Sequence, residues 1–132
     1  MLFDLKKKKP INFLKEHENK VYWAKFNEGN TLIASGGEDS KIIIWDMRKQ
    51  APLTIIPSEK STLEWKLIIF LGEALVIYSI EFSKDGKYMI SSDFDGVLKV
   101  FETKKFDLIA QTPKMPTENR VKQISNNQFL LL

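Results

Sequence analysis

Residues 17 to 47 and 73 to 103 lie over each other without a gap, and this internal repeat constrains the fold more than any other feature of the chain. His17, Ser35, Asp39 and the pair Trp45-Asp46 stand opposite Glu73, Ser91, Asp95 and the pair Phe101-Glu102, each 56 residues further on. Self-similarity at a fixed period marks a repeat architecture, in which one unit cannot bury its apolar faces alone and stacks on the next.

Within each unit the pattern is that of short strands between turn signals, and no segment sustains a 3.6-residue apolar period. The runs Val21 to Phe26, Thr31 to Ser35 and Lys41 to Trp45 read as three strands, with turns at Glu28-Gly29-Asn30 and Gly36 to Ser40. Ile77 to Phe82, Tyr88 to Ser92 and Val97 to Phe101 repeat them, with turns at Lys84-Asp85-Gly86 and Asp93 to Gly96. A fourth strand is expected after each set, at Pro52 to Ile56 and Phe106 to Gln111. Four antiparallel strands make one propeller blade.

Lengths and ends follow from the same spacing. A period of 56 exceeds the roughly 40–45 residues of such a blade, so an insertion is expected between Pro57 and Gly72. Leu63 to Phe70 forms an extra hairpin with Ala74 to Ile80, or Leu63-Glu64-Trp65 already begins the next blade. The expected division is the end of a preceding blade (1–14), a blade (15–56), the insertion (57–72), a degenerate blade (73–112) and the start of another (113–132).

The stretch Leu32 to Asp46, Leu-Ile-Ala-Ser-Gly-Gly-Glu-Asp-Ser-Lys-Ile-Ile-Ile-Trp-Asp, resembles the signature of the WD-repeat β-propeller family, with Glu16-His17 where Gly-His is usual. The resemblance covers residues 10–56 and 73–111. It implies an all-β fold, an open arc of about three four-stranded antiparallel blades. It also implies a buried tetrad of His17, Ser35, Asp39 and Trp45, in which the indole N–H donates to a hydroxyl that passes the bond onward. The second unit keeps only Ser91 and Asp95 of the tetrad, since Glu73 replaces His and Phe101 replaces Trp. Phe cannot donate a hydrogen bond, so this blade is expected to be the softer one. An arc of three blades does not close a ring, so the chain is read as a piece of a longer protein, as one of several copies completing a ring, or as an isolated arc. Exposed blade edges then favour self-association.

By the same resemblance, protein contacts fall on Lys20, Tyr22 and Glu38 in the first blade and on Val76, Tyr78 and Phe94 in the second. Three of these are aromatic, the residue type that dominates interface energetics. The implied role is a non-catalytic scaffold for other proteins or peptides. Trp45-Asp46-Met47-Arg48 also resembles the box by which some family members dock on a cullin-RING ubiquitin ligase adaptor, with Arg48 as the distinguishing contact. The paired-arginine motif of phosphoinositide-binding propellers is absent.

Composition narrows the other classes. A hydrolytic reading of Ser35, His17 and Asp39 fails because Ser35 sits inside a strand pattern rather than on a strained, exposed turn. His17 is the one imidazole in 132 residues, there is no cysteine, and the carboxylates show no ligand spacing. No catalytic residue, metal or cofactor is expected. Net charge is +3, much of it in the run Lys6 to Lys9, and Arg48 and Arg120 are the only arginines. Nucleic-acid binding through that run is therefore a lesser reading. Lack of cysteine and of a basic-then-apolar leader points to the cytoplasm or nucleus. The most apolar window, Leu67 to Ile80, contains Glu73 and falls short of the roughly 20 residues that span a bilayer.

Overall fold

The computed structural model describes residues 1–57 and 76–114, together with the backbone of 121–125 and 128–131. Among the described residues twelve strands run in order: β1 Leu2–Asp4, β2 Lys9–Asn12, β3 Val21–Phe26, β4 Leu32–Gly37, β5 Lys41–Asp46, β6 Ala51–Pro57, β7 Ile77–Phe82, β8 Tyr88–Asp93, β9 Leu98–Glu102, β10 Leu108–Gln111, β11 Val121–Ser125 and β12 Gln128–Leu131. They form two four-stranded antiparallel meanders, β3-β4-β5-β6 and β7-β8-β9-β10, and two hairpins, β1-β2 and β11-β12. No helix occurs among the described residues, so none there is long and apolar enough to cross a membrane. The expected hairpin or blade start at 63–70 lies outside the described residues.

The repeat is written into the backbone as well as the side chains. Non-glycine residues with left-handed φ stand at Asn30 (53°), Ser40 (59°) and Gln50 (52°), and 56 residues on stand Gly86 (69°), Gly96 (72°) and Phe106 (62°). Each turn of the first meander thus has its counterpart in the second. The turn after β3 is capped by Asn27, whose Oδ1 accepts the N–H groups of Thr31 and Leu32, both at 2.9 Å. The counterpart Ser83 takes the Tyr88 N–H at 2.9 Å and donates to Asp85 at 2.6 Å. Short polar side chains that bond back to their own turn are favoured at such positions.

Phe106 departs from the expectation of a strand over Phe106 to Gln111. It takes a turn conformation that a bulky residue enters at a cost of about 1–2 kcal/mol, and β10 begins at Leu108. What offsets the cost is burial: the ring joins Ile77, Ile80, Phe82, Met89 and Phe101 in the main core. Ala34, Ile42 and Ile44 of the first meander complete that core from the other side. Alternation along β4 and β5 sends the opposite residues, Ile33, Ile43 and Trp45, against Leu2 and Leu14 of the N-terminal segment. The central strands of the first meander are therefore buried on both faces, between the N-terminal segment and the second meander.

Three features fix the stacking of the meanders. The Trp23 indole N–H donates to the Ile80 carbonyl at 2.8 Å, and Lys25 pairs with Glu81 at 3.1 Å. Gly36 lies against Ile77 so closely that a Cβ there would stand 2.5 Å from the Ile77 methyl group. Glycine is required where backbone and neighbour approach this far.

Candidate functional site

In the first meander the four tetrad residues are joined by hydrogen bonds. Trp45 Nε1–H donates to Ser35 Oγ at 2.8 Å, and Ser35 Oγ lies 2.8 Å from His17 Nε2. His17 Nδ1 is 2.8 Å from Asp39 Oδ2 and 3.0 Å from Oδ1. A carboxylate only accepts, so Nδ1 carries the proton and Nε2 accepts from the Ser35 hydroxyl, giving a chain in which every donor has an acceptor. Burial raises the Asp39 pKa, but the hydrogen bond from His17 and those from the N–H groups of Glu18 and Lys41 together outweigh it and hold the carboxyl below its ordinary value. Gly37 makes room for this arrangement: a Cβ on it would run into the carbonyl of Lys20, where the strand leading from His17 crosses. Ser35 is buried in a strand among apolar neighbours, with its hydroxyl engaged on both sides.

The second meander is built differently. Glu73 lies outside the described residues. Ser91 and Phe101 are buried on the face toward the first meander and line a cavity of about 170 Å³ between the two. Asp95 does not line this cavity; it pairs with Lys114 at 2.7 Å toward solvent. The carboxyl in the cavity wall belongs to Asp93, with Lys99 beside it. These two were not singled out from the sequence, yet the repeat carries the signal: Asp93 stands opposite Gly37 and Lys99 opposite Ile43, so two charges replace a glycine and a core isoleucine.

The six positions expected to contact partners are gathered in two groups of three at one end of adjacent meanders. In each group the same backbone bond closes the cluster: Glu38 N–H to the Lys20 carbonyl and Phe94 N–H to the Val76 carbonyl, both 2.9 Å. Side chains then pair within the group. The Tyr22 hydroxyl donates to Glu38 at 3.1 Å, and this bond holds the Tyr22 pKa above its ordinary value. Tyr78 stacks on Phe94 with ring centroids 5.9 Å apart. Tyr22 remains 51% and Phe94 49% exposed, so each offers an aromatic face fixed by a neighbour.

Arg48 reaches back to Asp46, with Nη2 at 3.1 Å from Oδ2 and Nε at 3.3 Å from Oδ1. Its side chain is still 77% exposed. The Arg48 hydrogen bonds draw the Asp46 pKa down. Lys6 to Lys8 occupy the exposed β1-β2 turn and Lys9 opens β2; Asp4 Oδ1 accepts the N–H groups of Lys6 and Lys7 at 2.9 Å. No group of three or more His, Cys, Asp or Glu poised to hold a metal occurs among the described residues.

Stacked four-stranded antiparallel meanders of this kind define part of a β-propeller. The family described as WD domain, G-beta repeat matches residues 8–46 and 65–102, more than half of the chain, and the chain belongs to it. Among the relatives, Protein HIRA of Dictyostelium discoideum is 31% identical over 83 residues, covering 61% of this chain and 7% of that protein. A DDB1- and CUL4-associated factor 11 homolog of Caenorhabditis briggsae is 26% identical over 107 residues, covering 80% of this chain and 18% of the relative. The solved structure of U3-55K superposes with a TM-score of 0.67 at 20% identity, over 80% of this chain and 30% of that one, a likeness of fold. The chain thus spans under a third of the length of these matches. WD-repeat proteins of this family generally serve as protein-interaction scaffolds.

Proposed function

We propose that the chain acts as a non-catalytic protein-interaction scaffold inside the cell, in the cytoplasm or nucleus, and that its contact face is the end of the meanders carrying Lys20, Tyr22, Glu38, Val76, Tyr78 and Phe94. The observation that carries this reading is the pre-set presentation of exposed aromatics, Tyr22 by Glu38 and Phe94 by Tyr78. An aromatic already held in place loses little side-chain freedom on binding, and truncation of such an anchor costs about 2 kcal/mol or more at a hot spot. The tetrad beneath, with its hydroxyl and imidazole fully engaged, serves as a strut. The test is affinity purification of the full-length gene product with mass spectrometry, beside a Tyr22→Ala/Phe94→Ala variant. Partners retained at wild-type levels by a folded double variant would overturn this face.

A second reading has the protein as a substrate receptor docking on a cullin-RING ligase adaptor through Arg48. Two observations favour it: the exposed guanidinium is held by Asp46 at a defined angle, and one relative is a DDB1- and CUL4-associated factor 11 homolog. Arg48→Ala is then expected to abolish adaptor pull-down while the fold is kept. Adaptor capture unchanged in that variant would remove this reading and leave the aromatic face untouched.

A further inference from the structure

The turns β1-β2, β5-β6 and β9-β10 share one backbone design. Each opens on an acid, Asp4, Asp46 or Glu102, and four residues on stands a left-handed, non-glycine residue: Lys8 (52°), Gln50 (52°) or Phe106 (62°). In each the carboxylate accepts the backbone N–H two places further on, from Lys6 at 2.9 Å, Arg48 at 2.9 Å and Lys104 at 3.0 Å. The residues held this way are basic in all three. Two and three places after the acid stand Lys6 and Lys7, Arg48 and Lys49, and Lys104 and Lys105, all six exposed. The acid beside each pair is turned to its own turn, and at Arg48 to the guanidinium as well. Stacking sets the turns in a row. Asn12 of β2 donates to Gln50 of the second turn at 2.9 Å, and Ile56 of β6 packs against the core that holds Phe106 of the third. The row lies at the end opposite Glu38 and Phe94, because β5 and β9 run away from those residues to Asp46 and Glu102. The Thr103 N–H donates to the Lys87 carbonyl at 3.0 Å, which brings a further cation to the third turn. Exposed carboxylates at this end are fewer: Glu28, Asp85 and Asp107.

We propose that this row binds the phosphate backbone of duplex nucleic acid, without regard to base sequence. Cations set at intervals by a repeating layer suit a polyanion whose charges also repeat. Five of the six are lysines, point charges that serve phosphates without the bidentate contacts that distinguish bases. A single strand needs aromatic platforms between its cations, and the residue before each basic pair is Leu5, Met47 or Thr103. Peptides are taken up in grooves or along sheet edges, whereas these side chains stand out on turns. A membrane surface needs apolar tips among the cations. Of the three corresponding residues only Leu5 is exposed, at 84%; Met47 packs against the core and Thr103 Oγ1–H donates to the Gly86 carbonyl. The row is separate from the aromatic face and does not depend on it.

The test is fluorescence anisotropy of a labelled random-sequence DNA duplex, titrated with the full chain over a series of salt concentrations. Engagement of all six turn cations gives log affinity a slope of about −5 against log salt. Lys6→Gln/Lys7→Gln and Lys104→Gln/Lys105→Gln should each make that slope shallower by about 2, although the pairs lie at opposite ends of the sequence. Lys114→Gln, beside Asp95 at the other end of the strands, should leave it unchanged. Two duplexes of unrelated sequence should bind equally. Arg48 stays native throughout, so adaptor docking is not disturbed. Circular dichroism checks the folding of each variant, and should one not fold, the other decides alone. A slope that only the Lys6/Lys7 pair alters would reduce the site to a lone charged run and overturn the row. Polyglutamate that displaces the duplex at equal charge would put an acidic protein segment in its place. Tighter binding to vesicles of phosphatidylcholine and phosphatidylserine, lost in Leu5→Ser, would put a membrane there; either result overturns the proposal, as does a duplex that does not bind.

Discussion

The indole N–H of Trp23 and the carbonyl of Ile80 meet at 2.8 Å across the boundary between the two meanders. Trp23 belongs to the first strand of one sheet, β3, and Ile80 to the first strand of the next, β7, so a side chain of one repeat completes the hydrogen bonding of the other. Trp23→Phe keeps most of the apolar contact and removes the donor. A loss of about 1 kcal/mol is expected, read as a lower urea midpoint, and loss of the Trp23 donor without any shift would show that the contact is apolar only.

Trp45→Phe gives the first meander the tetrad composition of the second. The Ser35 hydroxyl loses its indole partner at 2.8 Å, and a destabilisation of about 1–3 kcal/mol is expected for a buried acceptor deprived of its donor. Hydrogen exchange should then show β4 and β5 opening as readily as β8 and β9. Protection that stays higher in β4 and β5 would mean the chain of bonds contributes little.

Asp39 and Asp93 give opposite dependences on pH. The Asp39 carboxyl lies below its ordinary value in the fold, so the stability it contributes is present above the unfolded pKa of about 3.9 and is lost as pH falls through the lower, folded value. The Asp93 carboxyl lies above it, so its penalty is absent below the unfolded pKa and grows as pH rises toward the folded value. Asp39→Asn should therefore flatten the acid limb of a stability profile. Asp93→Asn should raise stability near neutral pH, and a lower melting temperature there would contradict the burial of that charge.

Gly37→Ala is expected to be the most damaging of the small substitutions. The added carbon would meet the Lys20 carbonyl and the Val21 backbone, which cannot yield as a flexible side chain can. Displacing that strand pulls His17 away from Asp39, and a loss of about 3 kcal/mol or more is expected for a buried charge left without its partner. Circular dichroism melting of the variant checks this directly, with Gly29→Ala, where contacts are no nearer than 3.7 Å, as the tolerant control.

Much of the fold is legible in the residues because alternation and turn chemistry act locally. Val21–Phe26 and Ile77–Phe82 are strands at the expected residues, and Lys41–Asp46 differs by one at its end. The shift at Phe106 was not legible, since only the core behind the ring makes its left-handed turn conformation worthwhile. The first tetrad could be read from residue types because its members have few other ways to be satisfied when buried. The cavity could not: Asp93 and Lys99, whose charges replace Gly37 and Ile43, fall outside the family positions that Ser91, Asp95 and Phe101 match. Asp95, with the matching name, turns out to Lys114 instead.

The absence of a side chain at Gly36 reaches beyond its own strand. Ile77 nests into the space that a methyl group would claim, so that residue determines how steeply one layer leans upon its neighbour. A wedge of even one carbon there would splay the layers and alter the curvature of the arc, and with it the relative bearing of Tyr22 and Phe94 toward anything gripped between them.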